Sequence, residues 1–349
     1  MRKIGHIVFI EDKFYLLWQL ELFLESLTSR GKVDQENIVV LYADPNYHDP
    51  TKKWSVSKYL NSIMQEYPSV KYFCVQNWGR RNWYFKFKEN GTWAPRQYAG
   101  INKWLSLCEA ANAGWLDCYD EVLLLEQDLW FSDTLPKLPK GNCVTSNWIC
   151  DRHKAFTVND KTKKMNTEGF DLDDIMSLCK VSEKNQKLWT SGSIIFKFIT
   201  KQLKKPIVLN AIVNYNQLLM TLGELALPQG ARHETDMIAP SLAMAHAGMN
   251  CQEIKDVAWK SDIWTHNKEL PTHGLVHYGW DFGLHIHLKS SFSKFIFDQK
   301  GPWTNDKVMK SEYKDLPFNW LRLFYDDILA IGNKDLDRDC KKAPGIPGI

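Results

Sequence analysis

Over its first 131 residues the chain alternates apolar runs of strand length with runs of helix length, and that alternation leaves few folds open. Residues 4–10 (IGHIVFI) read as a buried strand, and residues 14–27 are apolar nearly all round, as in a helix covered on more than one side. A second strand is read at 37–42 (NIVVLY), running out into Ala43-Asp44-Pro45. Residues 57–67 have helical spacing, with Tyr59, Leu60, Ile63, Met64 and Tyr67 on one face. A third strand at 70–75 and a helix at 100–113 follow. The segment 120–131 (DEVLLLEQDLWF) opens on a strand whose Val122, Leu123, Leu124 and Leu125 are suited to burial on both faces. Strands and helices alternating through short connections predict an α/β fold with a Rossmann-like, mostly parallel sheet flanked by helices. Binding sites in such sheets lie beyond the carboxyl ends of the strands. That rule singles out Asp44, the segment from Trp78, and Glu126-Gln127-Asp128. No glycine-rich dinucleotide fingerprint or P-loop follows the first strand, which argues against a dinucleotide dehydrogenase and a P-loop kinase.

The remainder is less regular. Residues 150–190 turn polar and charged and read as a long excursion. A strand is expected at 189–196 (WTSGSIIF), helices at 207–226 and 234–249, and a short late strand at 274–279 (GLVHYG). Pro206, Pro228 and Pro240 mark helix starts or interruptions. After Gly332 the chain is charged, then rich in Pro and Gly, and is expected to fray. The organisation expected is one domain over 1–330 and a flexible tail over 331–349.

Composition narrows the class. With 44% apolar and 24% charged residues in 349, the chain is an ordinary globular one. A net charge of +3 is too small to drive strong non-specific binding to nucleic acid by itself, although a local basic patch still could. No apolar run approaches the roughly 20 residues of a membrane helix, so no membrane partner is expected. The opening residues lack the long apolar stretch and small-residue cleavage site of a signal peptide. Eight cysteines are scattered without a C-x-x-C pair, which speaks against a zinc or disulfide framework. The expected compartment is the cytoplasm.

Chemistry is concentrated after the fourth strand. In extended chain, residues two apart point to one side, so Glu126 and Asp128 would converge at the sheet's carboxyl edge. Such a pair suits a hard divalent cation, Mn2+ or Mg2+, which takes oxygen ligands and keeps positions open for a diphosphate. The alternative is a solvated acidic turn. A second candidate is 78–88 (WGRRNWYFKFK), where Arg80, Arg81, Lys86 and Lys88 alternate with aromatics including Trp83. Basic groups meet phosphates while rings stack on bases, so these five residues are the nucleic-acid candidates. The alternative is an edge hairpin with one apolar and one solvated face.

The stretch from Glu121 to Leu138 (EVLLLEQDLWFSDTLPKL) resembles the segment of plant hydroxyproline O-arabinosyltransferases in which a hydrophobic strand runs into an acidic Glu-Pro-Asp motif, with Gln127 here in place of the proline. Further segments agree in order: 99–105 (AGINKWL), 190–195 (TSGSII), 234–237 (ETDM) followed by 243–248 (AMAHAG), and 274–279. The chain is also similar to the group of T4-like phage enzymes that add arabinose to 5-hydroxymethylcytosine in DNA. The resemblance implies a GT-A glycosyltransferase fold, with 1–135 holding the nucleotide sugar and 136–330 the acceptor. It implies a UDP-pentose donor and, through the phage group, DNA as acceptor; a protein hydroxyl, a glycan, a small molecule, or a non-catalytic binding role remain open.

The same resemblance assigns roles. Asp128 would coordinate the metal, Glu126 would sit on the metal or the donor ribose, and His277 would be a third metal ligand, or else a hydrogen-bonded structural residue of its strand. Asp236 would be the carboxylate beside the reacting sugar, with Glu234 competing for that role; both also suit the first turn of a helix, where acids complement the dipole. Asp44 could touch the donor's uracil or ribose, or simply form the turn before Pro45. Ser191 and Gly192 would allow close backbone approach to the donor, or form only a tight turn.

Overall fold

The computed structural model describes residues 2–45, 55–77, 85–89, 92–96, 100–135, 137–145, 180–189, 195–204, 235–254, 258–260, 275–278, 300–304 and 319–340. The architecture is α/β. A seven-stranded, mixed and mostly parallel sheet, flanked by helices, runs in the order β10-β8-β9-β6-β1-β2-β3. Its strands are β1 (Ile4–Glu11), β2 (Ile38–Ala43), β3 (Lys71–Cys74), β6 (Glu121–Leu125), β8 (Asn142–Thr145), β9 (Phe196–Ile199) and β10 (Cys251–Ile254). A two-stranded antiparallel ribbon, β4 (Phe85–Glu89) with β5 (Thr92–Arg96), and a three-stranded sheet, β11 (Ala258–Lys260), β12 (Leu275–His277) and β7 (Leu129–Phe131), complete the strands among the described residues. The helices are α1 (Phe14–Ser29), α2 (Lys58–Glu66), α3 (Ile101–Asn112), α4 (Glu183–Gln186), α5 (Thr200–Leu203), α6 (Thr235–His246) and α7 (Asn319–Gly332). No helix among the described residues is long and apolar enough to cross a membrane. No disulfide joins the six described cysteines.

Contacts divide the chain into two compact units: Met1–His6, Val75–Leu124 and Leu138–Lys255 form one, and Ile7–Cys74, Leu125–Lys137 and Asp256–Ile349 the other. In the first, β9 pairs antiparallel with both β6 and β8, while β8 and β10 are parallel. Trp104 of α3 covers one face of β9, its ring edge-on to Phe196 at 5.2 Å and to Phe198 at 6.4 Å. On the opposite face of the strand Lys197 is fully buried, and its ammonium lies 2.7 Å from Glu121 on β6. The register sets Lys197 opposite Leu123, which makes Glu121 its diagonal neighbour on the same face. Gly141 sits at φ 92° in the turn entering β8, and its N–H reaches the same carboxylate at 2.7 Å. Only glycine adopts that backbone conformation freely.

In the second unit α1 is the centre of the packing. It lies against β7, α2 and α7. Its all-round apolar sequence finds cover on several sides: Leu17, Trp18, Leu20, Leu22, Phe23, Leu24 and Leu27 are all buried. Asp327 of α7 accepts a bidentate pair from Arg30, at 2.9 and 2.6 Å, and the indole N–H of Trp130 at 2.8 Å, so one carboxylate ties together α7, β7 and the end of α1. α2 begins where Ser57 caps it, accepting from the Leu60 N–H at 3.1 Å.

The sequence expectations hold closely for β1, α1, β2, α2, β3, α3, β6, α6 and β12. The strand expected at 189–196 begins instead at Phe196 and runs to Ile199. The helix expected at 207–226 and most of the excursion at 150–190 lie outside the described residues, apart from the short α4 near its end. The ribbon β4–β5 has the hairpin pairing weighed for the basic–aromatic segment, with Lys86 opposite Pro95 and Lys88 opposite Trp93.

Beyond Gly332, where fraying was expected, the described residues are held by charge. Glu21 is fully buried in α1; the Arg338 guanidinium lies 3.1 Å from it and the Tyr59 hydroxyl donates to it at 2.6 Å. Lys334 donates to Glu25 at 2.7 Å and pairs with Glu66 at 3.0 Å. Removing one member of a buried ion pair leaves the other charge uncompensated. Arg338→Ala is therefore expected to destabilise the protein by about 3–5 kcal/mol in urea denaturation, whereas Glu21→Gln combined with Arg338→Met recovers most of the loss.

Candidate functional site

The second unit holds the acidic residues that follow β1, β2 and β6. β6 is buried along its whole length, and the chain turns at once through Glu126, Gln127 and Asp128, with the Leu129 N–H bonded to the Glu126 carbonyl at 3.3 Å. A two-residue spacing in extended chain is thus replaced by a turn. Glu126 is half-buried, whereas Asp128 is only 4% exposed. The turn feeds β7, and β7 pairs antiparallel with β12, setting Leu129 opposite His277. The Tyr278 N–H then donates to the Asp128 carbonyl at 3.1 Å. Residues about 150 apart in sequence are joined here by main-chain bonds.

Tyr278 is itself unusual. It is fully buried, its ring stacks on Trp18 at 6.2 Å, and its hydroxyl has no hydrogen-bond partner among the described residues. Burial first, and the negative charge of Asp128 second, push that hydroxyl well above the ordinary tyrosine range, so it stays protonated. A buried donor left without an acceptor costs about 1–3 kcal/mol. The arrangement therefore sets a buried, protonated hydroxyl near a buried carboxylate.

A second acidic group follows β1 and β2. The Asp12 N–H bonds the Ala43 carbonyl at 2.9 Å, which brings Asp12 and Asp44 to adjoining strand ends. Asp12 is 5% exposed; it accepts the Ser57 N–H at 2.7 Å and the Ser57 hydroxyl at 2.5 Å. Burial raises its pKa, the two Ser57 bonds oppose the rise, and Asp44 adds to it. Asp12 was not among the residues singled out from sequence. Its signal was present, since Glu11 and Asp12 follow the first apolar strand as Glu126 and Asp128 follow β6.

The other sequence candidates are placed only in part. Asp236 is the second residue of α6, in the first unit. Lys86 and Lys88 lie on β4. Glu234, Ser191, Gly192, Arg80, Arg81 and Trp83 lie outside the described residues. Among the described residues no group of three or more His, Cys, Asp and Glu side chains is placed to hold a metal, and the side chain of His277 is not among those described.

A carboxyl group whose native pKa is raised binds its proton more tightly folded than unfolded. Stability then falls as pH rises from the ordinary aspartate value of 3.8 through the native one, and the full cost is present above both. Asp12→Asn keeps an acceptor for the Ser57 N–H and carries no charge. It is expected to melt higher than the wild type at pH 7.5, with the gain gone at pH values below 3.8. Equal melting temperatures at both pH values would refute the assignment. No protein-family model matches the chain and no curated protein matches it, so its reading rests on its own residues.

Proposed function

We propose that the protein is a metal-dependent glycosyltransferase of GT-A type that moves a pentose, arabinose in the first instance, from a UDP-sugar to the hydroxyl of 5-hydroxymethylcytosine in DNA. One observation carries the reading: a wholly buried strand delivers Glu126 and a buried Asp128 into a turn that β7 and β12 hold beside His277 and Tyr278. The ordered resemblance over residues 95–285 supports the reaction class. The basic alternation in 78–88 supports a nucleic-acid acceptor.

Oxygen donors from Glu126 and Asp128, with the imidazole of His277, are of the kind that hold Mn2+ or Mg2+, and such an ion neutralises the charge that develops on a departing diphosphate. Asp128 would anchor that group, and Glu126 would reach it or the donor ribose. Tyr278, fully buried, would position the carboxylate turn through its main-chain bond to Asp128. Asp44, with Asp12 beside it, would face the nucleoside. In the transfer, the acceptor oxygen bonds to the sugar's anomeric carbon, the bond from that carbon to the diphosphate oxygen breaks, and UDP departs with the electron pair. By the resemblance, Asp236 would take the acceptor proton if configuration inverts; if it is retained, Asp236 would stabilise the oxocarbenium-like centre and the proton would pass to the departing diphosphate oxygen.

Incubation of the protein with UDP-arabinose, Mn2+ and hydroxymethylated DNA, followed by nucleoside mass spectrometry, is expected to show a pentose adduct. Asp128→Asn should lower its rate by about 100-fold or more while leaving the fold intact by circular dichroism. Absence of any adduct across a panel of UDP-sugars would refute the DNA acceptor. An Asp128→Asn variant of unchanged rate would refute the site.

A further inference from the structure

We propose that the first unit carries a separate binding site for a small phosphate-class anion, in a cavity of about 580 Å3 at the edge where β6 begins and β9 ends. The volume falls in the range of small-molecule sites, roughly 300–1,000 Å3, and is too small for a folded partner. Arg2, Lys140, Lys201 and Lys204 line it, together with Asp117, Asp120 and Glu121.

Two of the three acids are already ion-paired within the wall. Glu121 takes three donors: Lys197 at 2.7 Å, the Gly141 N–H at 2.7 Å, and Arg2, which lies 3.2 Å away. Two cations on one carboxylate leave the floor of the cavity positive. That surplus is fixed, because Lys197 is fully buried and also held by the Pro139 carbonyl at 2.5 Å, while Arg2 donates to the Leu138 carbonyl at 3.1 Å. Asp117 is paired with Lys204. Asp120 accepts the Lys3 main-chain N–H at 2.9 Å and keeps its charge.

Lys140 and Lys201, by contrast, are exposed side chains with no ion-pair partner among the described residues. A cationic ligand would find Asp120 as the one lining carboxylate outside an ion pair among the described residues, against four lining cations, and a neutral ligand would leave the surplus positive charge uncompensated. An anion needs only these two ammonium groups, and it meets the positive floor below them. The wall adds a further polar group: the Thr200 hydroxyl, buried and without a hydrogen-bond partner among the described residues. Gly141 leaves the turn open, since a Cβ built there would meet nothing within 4 Å. Lysine acts on phosphate as a mobile point charge, so the site favours a compact di- or trianion, a phosphomonoester or a diphosphate, over a carboxylate. Its attraction should weaken with salt.

The test is isothermal titration of the full chain with pyrophosphate in EDTA, which silences any site that depends on a divalent metal. The expected result is saturable one-to-one binding, retained in Asp128→Asn and weakened about tenfold or more in the double variant Lys140→Gln, Lys201→Gln, whose substitutions are exposed and leave the fold intact by circular dichroism. Absence of saturable binding overturns the proposal. So does binding that the double variant leaves unchanged, or binding that Asp128→Asn abolishes, which would place the anion at the carboxylate turn. A chain that bound an oligonucleotide but not pyrophosphate would overturn it as well. None of these outcomes depends on sugar transfer.

Discussion

A strand that is apolar on both faces cannot lie at the surface of a sheet, and β6 is such a strand. Val122, Leu123, Leu124 and Leu125 are all at most 2% exposed, and β6 is placed in the interior of the strand order, between β9 and β1. Each of those side chains stabilises the fold by about 1.5–3 kcal/mol relative to exposure, so the strand's position is fixed by several independent contributions. Polar chemistry is then confined to its two ends. At its first residue, Glu121 is charged and buried, and it persists only because Lys197, Arg2 and the Gly141 N–H surround it. Past its last residue, the chain can turn polar, and it does so with Glu126 and Asp128.

The same rule, that a buried charge requires its partner, organises the second unit. Glu21 and Asp327 are each satisfied from a distant part of the chain, Glu21 by Arg338 and Asp327 by Arg30 and Trp130. Such pairs contribute little net stability beyond what apolar residues of the same volume would give, but they make misplacement costly. The effect is to fix where α1, α7 and β7 meet.

Much of this was legible in the sequence, and the exceptions share a cause. β1, α1, β2, α2, β3 and α3 follow from local periodicity, because each buries a face whose pattern lies within the element itself. What periodicity does not encode is the pairing partner. The antiparallel placement of β9, with its buried Lys197, depends on Glu121 lying diagonally across the register. The β7–β12 pairing that brings Tyr278 to Asp128 joins strands of three residues each, too short to carry a pattern. Asp12 was passed over because its significance comes from Ser57 and Asp44, neither of which is its neighbour in sequence. Glu126 and Asp128 were visible because the buried run before them is long and unbroken.

The engagement of Glu21 by Arg338 has a consequence for synthesis. The two residues are 317 positions apart, so α1 leaves the ribosome long before its counter-charge exists. At about 5–20 residues per second, the interval is on the order of tens of seconds. Throughout it the nascent helix carries a carboxylate on a surface destined for the interior, and that surface closes only when residues 334–338 are translated. The helix is thus completed only when a segment 317 positions further along the chain has been made.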